Sequence, residues 1–367
     1  MLLDDFLKKG RDNNLNLLRF LAASLVVYSH SFGIFGFTEP LLGVFPQGIS
    51  FGSLAVNIFF ILSGFLIAQS WDRRQELIGF LYARVIRIYP ALIFSVVFCA
   101  LFIGPIYTSL SLYQYITDLG FYKFILENST LLPLGVYLEL PGVFETNISS
   151  SNVNTPIWTL PYELKMYLLL ALFGFLGVLR NKLFILLFTS IFCFLYIFKD
   201  ITEVGEVSSI YRFIAFFFLG VTFFLFREKI VLRFKYVVIL AMICFISWYF
   251  LREYSLYVLF IALPYFLIWI AFVPNGSIRK FNHFGDYSYG IYIYAFPIQQ
   301  VLSSYDFIES PLTAFLIAIV LTLIMAVASW HFLEEKCLSS SNNVLIQQKI
   351  KLLFSKFSFG FYSVKGE

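Results

Sequence analysis

The chain has 367 residues, of which 60% are hydrophobic and 13% are charged, and its formal net charge is +4. A water-soluble domain normally has about a quarter charged residues, so this composition excludes an ordinary soluble protein. The apolar runs are long and do not alternate with polar residues, which favours an all-α integral membrane protein over a β-barrel. We attribute the positive charge to loops at the membrane surface and expect no nucleic-acid partner.

Ten apolar runs approach the ~18–20 residues that a membrane helix needs. The segment before the first run carries charges without an apolar core, so we do not expect a cleaved signal peptide. The predicted spans cover residues 15–35, 50–70, 88–107, 158–178, 183–198, 209–226, 234–251, 255–273, 287–305 and 311–332.

Lysine and arginine predict the orientation of these helices. With a cytoplasmic N-terminus, 20 of the 26 Lys and Arg residues fall in inner segments, four fall in outer segments, and two, Arg19 and Lys165, fall within spans. This positive-inside bias predicts cytoplasmic N and C termini. The expected location is the inner (cytoplasmic) membrane of the cell, crossed many times.

Two segments lie outside this pattern. Residues 108–156 are partly apolar but broken by prolines and glycines, which predicts a re-entrant or interfacial segment on the outer side. Residues 1–336 are predicted to form one membrane domain, and residues 337–367 a cytoplasmic basic amphipathic tail. The four cysteines show no metal-ligand spacing, so no metal site is expected, and they permit no inference about redox chemistry.

Arg19 and His30 are two ionisable residues in the first predicted helix. Eleven residues correspond to about 1100° of helical rotation, so both side chains point to the same side, ~16 Å apart along the axis. Ionisable groups inside a membrane are costly and mark functional sites. The pair therefore predicts a proton-handling site that faces a cavity. The alternative is that Arg19 extends to the membrane surface and that His30 is simply a polar residue near the helix end.

Glu163 lies near the outer end of the fourth predicted span, at a depth similar to that of His30. A carboxylate beside an imidazole would orient the ring and raise its basicity. The alternative is that Glu163 pairs with Lys165 or caps the start of its helix.

Arg84 and Arg87 precede the third predicted span, spaced i, i+3, and Arg73 and Arg74 lie nearby. Guanidinium groups bind phosphate oxygens through two parallel hydrogen bonds. These arginines therefore predict a phosphate-binding face, the alternative being simple anchoring at the inner surface.

Four stretches together resemble the membrane acyltransferase-3 family. Arg19 and His30 match its arginine–ten residues–histidine pattern, and Trp158-Thr159-Leu160 with Glu163 matches its Trp-Ser/Thr-Leu-x-x-Glu motif. The remaining matches are VNIFFILSGFLIAQS followed by FLYARVIRIYP, then SYGIYIYAFP and SWHFLEE. Two positions depart from the family pattern: Ala295 stands where a histidine is frequent, and His331 where an arginine is usual.

The resemblance implies an O-acyltransferase that moves an acyl group, usually acetyl, from cytoplasmic acetyl-CoA to a hydroxyl of an extracytoplasmic glycan or lipid-linked saccharide. The chain is similar to the family's stand-alone form, and acyl-CoA would be a substrate rather than a permanent cofactor. His30 would act as the general base. Arg19 would stabilise the donor's phosphates or the developing oxyanion.

The resemblance also implies that the inner arginines hold the donor and that Trp158 binds substrate. A secondary transporter is the alternative, since intramembrane Arg, His and Glu suit it equally. Transporters usually have helices broken near the membrane midplane, whereas the breakers here fall in residues 108–156.

Overall fold

The computed structural model describes residues 1–339 except 11, 133–134, 150, 203–208, 306–307 and 309. Within this part the chain is helical, and extended segments pair only in three isolated β-bridges. The predicted amphipathic tail lies outside the described residues beyond its first three positions.

A helix lies at each of the ten positions predicted as spans, and we number these helices α1 to α10. Their bounds are Leu15–Ile34 (α1), Phe51–Arg74 (α2), Leu77–Phe98 (α3), Leu160–Phe175 (α4), Lys182–Thr202 (α5), Ser209–Leu225 (α6), Phe234–Phe250 (α7), Ser255–Phe272 (α8), Ser288–Ser303 (α9) and Pro311–Ser329 (α10). We call the end of the bundle where α2 finishes with Arg73 and Arg74 the basic end, and the opposite end the far end.

Six of the described helices are long and apolar enough to cross a membrane: α1, α2, α5, and α3, α8 and α10 with the helical turns that extend them. The other four have 16 or 17 residues, which is about 24–26 Å, shorter than the ~30 Å hydrocarbon core of a bilayer. The all-helical membrane fold is confirmed. Ten spans and the cytoplasmic position of both termini stay predictions.

The centre of the bundle is a close crossing of α2 and α6. Gly64 of α2 lies against the backbone of α6 so tightly that a Cβ atom would overlap the carbonyl oxygen of Phe217. Gly220 of α6 lies in the same way against the carbonyl oxygen of Ile61. Small residues allow two membrane helices to approach until their backbones touch. This crossing therefore depends on the two glycines.

Helix α9 is buried along almost its whole length and is held by polar contacts. Pro297 has no N–H group, so the carbonyl oxygen of Ile293 loses its partner within the helix. Two side chains replace it: Asn154 Nδ2 donates to Ile293 O at 2.9 Å and Ser95 Oγ donates at 3.3 Å. The proline thus creates an acceptor that ties α9 to α3 and to the loop before α4.

The segment between α3 and α4 contains two short helices, Leu112–Thr117 and Leu119–Thr130. Tyr115 OH donates to Ala100 O at 2.8 Å, and Tyr89 OH donates to Thr130 O at 3.1 Å. The second helix therefore returns along α3 from the level of residue 100 to that of residue 89, ~16 Å. That path suits a segment that folds back into the bundle, and its depth in a bilayer stays a prediction.

The α2–α6 crossing gives a first testable prediction. Gly64→Ala should lower the midpoint of thermal unfolding in detergent, because overpacking a tight contact costs about 1–3 kcal/mol. Gly33→Ala is the matched control: Gly33 also lies in a helix, but a Cβ there meets no atom within 4 Å. Equal midpoints for the two variants would show that the crossing has room to adjust.

Candidate active site

A cavity of about 220 Å³ lies between α1, α2, α3, α4 and α9. Along α2 its lining runs from Arg74 at the basic end to Val56, and these 18 residues correspond to ~27 Å of helix. The cavity is therefore elongated along α2.

Most of the residues predicted from the sequence as a site meet in this cavity. Its lining includes Arg19, Arg74, Arg84, Arg87 and Glu163. Arg73 is exposed at the same end of α2 but does not line the cavity, and neither do His30 and Trp158.

A network of charges forms one wall. The carboxylate of Asp286, in the loop before α9, accepts from Arg19 and, at 2.7 Å, from Arg87 Nη2. Arg87 Nη1 lies 3.2 Å from Glu334 Oε2. Burial raises the pKa of Asp286, but the charges of Arg19 and Arg87 lower it further, to about 2. Asp286 is therefore ionised at any physiological pH and joins α1 to α3.

Glu334 reaches this wall because α10 continues through a wide π turn, Trp330–Glu334. Its side chain is 2% exposed, and Ser329 Oγ donates to it at 3.1 Å. Tyr294 OH of α9 donates in turn to Ser329 Oγ at 2.9 Å. π turns are rare and are often found at functional sites. Here the turn adds a second carboxylate to the partners of Arg87.

Arg84 differs from Arg87 in having no hydrogen-bond acceptor in the part of the chain that the structure describes. Its guanidinium lies 5.9 Å from the rings of Phe80 and Tyr167, a favourable cation–π arrangement. Its Nε atom is buried and has no hydrogen-bond partner among the described residues. A buried unsatisfied donor costs about 1–3 kcal/mol. Arg84 lines the cavity, so its side chain, rather than the enclosed Nε atom, lies where an anionic or carbonyl group would enter.

Glu163 lies in the first turn of α4, where a carboxylate interacts favourably with the helix dipole. Its Oε1 atom accepts from Tyr167 OH and, at 3.4 Å, from Ser63 Oγ. The ammonium of Lys165 lies over the ring of Tyr162, 4.8 Å from its centroid. In this conformation Glu163 thus points to its cavity neighbours, not to Lys165.

His30 lies toward the far end of α1, outside the cavity lining. Its ring meets Phe296 of α9 edge-on at 5.2 Å, and its buried Nδ1 atom has no hydrogen-bond partner among the described residues. Phe296 is one turn beyond Tyr292, which lines the cavity and contacts Phe59 edge-on at 5.7 Å. We call Phe59, Tyr292 and Phe296 the aromatic layer. His30 contacts this layer through Phe296.

The structure does not join His30 to Glu163 by a hydrogen bond within its described part, and their pairing stays a prediction. Trp158 packs on Tyr162 and Phe213, with ring centroids 5.8 and 5.6 Å apart, so its contact with substrate also stays a prediction.

The two positions that depart from the family pattern differ in their surroundings. His331 is exposed, with Nδ1 3.1 Å from Glu335 Oε2. Ala295 is buried inside α9. Neither residue lines the cavity.

Sequence analysis missed five residues of this site: Asp286, Glu334, Phe59, Tyr292 and Phe296. Asp286 lies in the loop just before SYGIYIYAFP, and Glu334 lies within SWHFLEE. Their proximity to the first helix gives no signal in the linear sequence.

Comparison with known proteins agrees with the resemblance. The acyltransferase-3 family model, described as an acyltransferase domain, matches residues 12–331. An "O-acetyl transferase" of Shigella phage Sf6 is 27% identical over 351 residues, covering 90% of this chain and 98% of the relative. "Nodulation protein 10" of Rhizobium leguminosarum bv. viciae is 31% identical over 163 residues, 44% of each chain. No solved structure matches the chain.

The charge network gives a second prediction. Asp286→Asn should lower the free energy of unfolding by about 3 kcal/mol at pH 7, because it removes the carboxylate shared by the partly buried Arg19 and Arg87 and leaves Arg87 with Glu334 alone. Asp72→Asn is the control: Asp72 pairs with Arg227 at 3.2 Å but its side chain is 49% exposed, so its loss should cost less than about 1 kcal/mol.

The pH dependence of unfolding tests whether the charge of Asp286 is the cause of this loss of stability. The folded-state pKa of Asp286 is depressed, so its stabilisation is complete above the unfolded-state value of about 3.9 and is lost as the pH falls toward 2. The stability difference between the parent and Asp286→Asn should therefore shrink below about pH 4. A difference that is constant with pH would mean that packing, not charge, is responsible.

Proposed function

The chain belongs to the acyltransferase-3 family, and on that premise we propose that this membrane acyltransferase moves an acyl group from acyl-CoA to a hydroxyl of a glycan. The donor would enter at the basic end, from the cytoplasm, and the acceptor, a surface glycan or lipid-linked saccharide, at the far end. Family membership favours this function over the secondary transporter that intramembrane charges alone would also suit.

The observation that carries the proposal is Arg84, which has no hydrogen-bond acceptor among the described residues, in an elongated cavity with a basic end. Acyl-CoA is a long, thin molecule with phosphates at one end and a thioester at the other. Arg74 and Arg84 suit the phosphates, because guanidinium groups bind phosphate oxygens in bidentate fashion. The ~27 Å passage suits the extended arm that carries the thioester.

The charge network refines the roles of the other arginines. Arg87 already binds Asp286 and Glu334, and Arg19 binds Asp286. We therefore propose that Arg19 and Arg87 shape the cavity wall and its electrostatic potential. Arg73 lies outside the lining, where it would contact a donor only beyond the cavity mouth.

His30 is the proposed general base. The acceptor oxygen attacks the thioester carbonyl, the C–S bond breaks, and the thiolate of CoA leaves. His30 takes the proton of the acceptor hydroxyl, and this proton finally passes to the thiolate. A positioned base typically contributes 10²–10⁴-fold to such a step. The Nδ1 atom supports the role, since no group of the described residues forms a hydrogen bond with it in this conformation.

Glu163 and Trp158 complete the proposal. Glu163 would balance the charge of Arg84 in the resting state and orient His30 during turnover, which requires it to leave Tyr167 and Ser63. Trp158, at the start of α4, would bind the acceptor.

His30→Ala should leave the abundance of the protein in the membrane unchanged and lower acylation at least 100-fold, because the proton acceptor is gone. The measurement is mass spectrometry of the cell-surface glycan from cells that carry either form, with immunoblotting of the membrane fraction. His283→Ala is the control, since His283 is an exposed histidine remote from the cavity lining. An acylation level within threefold of the parent would remove His30 from the mechanism.

Arg84→Gln should weaken acyl-CoA binding at least tenfold, because a charge-assisted contact to phosphate is lost. Arg84→Lys should restore binding only in part, since an ammonium lacks the fork geometry. The measurement is a titration of the purified protein in nanodiscs with acetyl-CoA. Arg73→Gln removes the same charge at the same end but outside the cavity, and should change the affinity less than threefold. Equal affinities for Arg84→Gln and the parent would contradict the donor assignment.

A further inference from the structure

We propose that Phe59 and Tyr292 close the deep end of the cavity and restrict the transferred acyl group to a short one, acetyl or propionyl. The inference rests on the proposed function, because it takes acyl-CoA as the donor. It adds the residues that set acyl-chain length, which neither the family match nor the names of the relatives specify.

The polarity of the cavity fixes which end of the donor reaches these residues. The basic end carries Arg74 and Arg84, whereas the lining at the other end is formed by Val56, Phe59 and Phe60. In a cavity elongated in this way, a donor whose phosphates bind the arginines must place its acyl group at the apolar end. Phe59 lies on α2 fifteen residues from Arg74, ~22 Å along the axis.

The deep end is a fixed wall. Tyr292 OH lies 2.7 Å from Thr159 Oγ1 and donates to Pro156 O at 2.9 Å, so two contacts hold the ring. Phe60 is stacked on Phe213, with ring centroids 4.2 Å apart and planes 7° apart. Phe59 packs edge-on against Tyr292.

A wall of this kind discriminates by size. Protein interiors are close-packed, and rings held on several sides do not move aside at low cost. A methylene group that fits or fails to fit an apolar pocket changes specificity by about 10–200-fold. In the donor-bound state, before the acceptor arrives, the aromatic layer would therefore exclude longer chains.

The test compares the affinities of acetyl-CoA and butyryl-CoA, which differ by two methylene groups, and needs no acceptor. The parent protein in nanodiscs should bind acetyl-CoA at least tenfold more tightly than butyryl-CoA. Phe59→Ala should reduce this preference to less than threefold, and Phe59→Leu, the milder change, should reduce it in part. The Leu variant carries the test if the Ala variant does not fold.

Phe65→Leu is the matched control. Phe65 lies on the same helix and is fully buried, but its ring contacts Phe224 and Phe272 rather than the cavity. It should destabilise the protein and leave the acetyl preference within twofold of the parent value.

The outcomes separate the two proposals. Binding of both donors with an unchanged preference in Phe59→Ala and Phe59→Leu overturns the assignment of Phe59 and leaves the proposed function standing. A parent that binds neither acyl-CoA overturns the donor and, with it, this inference. A preference that changes equally in Phe65→Leu also overturns it, because the effect would then come from general loosening of α2.

Discussion

The interaction on which the rest of the structure depends is the carboxylate of Asp286 shared by Arg19 and Arg87. Two guanidinium groups among packed helices would repel each other and would lose hydration that the bundle interior cannot replace. Asp286 and Glu334 supply one negative charge for each positive one, so this part of the wall is neutral as a whole. A loop, two membrane helices and the end of α10 are thereby held in one arrangement, and the cavity is the space that they leave.

Because the charges of Arg19 and Arg87 are balanced, Arg84 is the neighbouring arginine that remains for binding a ligand. Arg84 and Arg87 lie on the same helix three residues apart, a spacing that predicts one shared cationic face. The structure separates them, because acceptors from the distant end of the chain reach Arg87, whereas Arg84 contacts aromatic rings and forms no ion pair among the described residues. The spacing of residues along a helix determines the direction in which a side chain points. It does not determine whether a partner balances the charge of that side chain. The presence or absence of such a partner decides whether the residue stabilises the fold or binds a ligand.

The sequence predicted the helices well, because a run of apolar residues needs only its own length and composition to be recognised. It also predicted that Arg19 and His30 face a cavity, because ionisable groups inside a membrane seldom face lipid. Arg19 lines the cavity, whereas His30 lies outside its lining. It could not predict Asp286 or Glu334: carboxylates at helix ends are common and become informative only when tertiary contacts bring them to Arg87. Equal depth suggested that His30 and Glu163 meet, but depth along a helix says nothing about lateral position in the bundle. Phe59 and Tyr292 lie within stretches that match the family, but in a chain that is 20% aromatic nothing distinguished them from the neighbouring aromatic residues.

The resting conformation is not the most stable one that this fold permits. An apolar residue in place of Arg84 would avoid a buried donor without an acceptor, and a hydrogen-bond partner for Nδ1 of His30 would satisfy another buried polar atom. Proteins keep such costly groups where function requires them. These two groups, among several buried polar atoms without a partner in the described residues, lie on opposite sides of the aromatic layer. An anionic donor would satisfy Arg84 and an acceptor hydroxyl would satisfy His30. The layer that separates them in this conformation therefore has to open before the acyl group can be transferred.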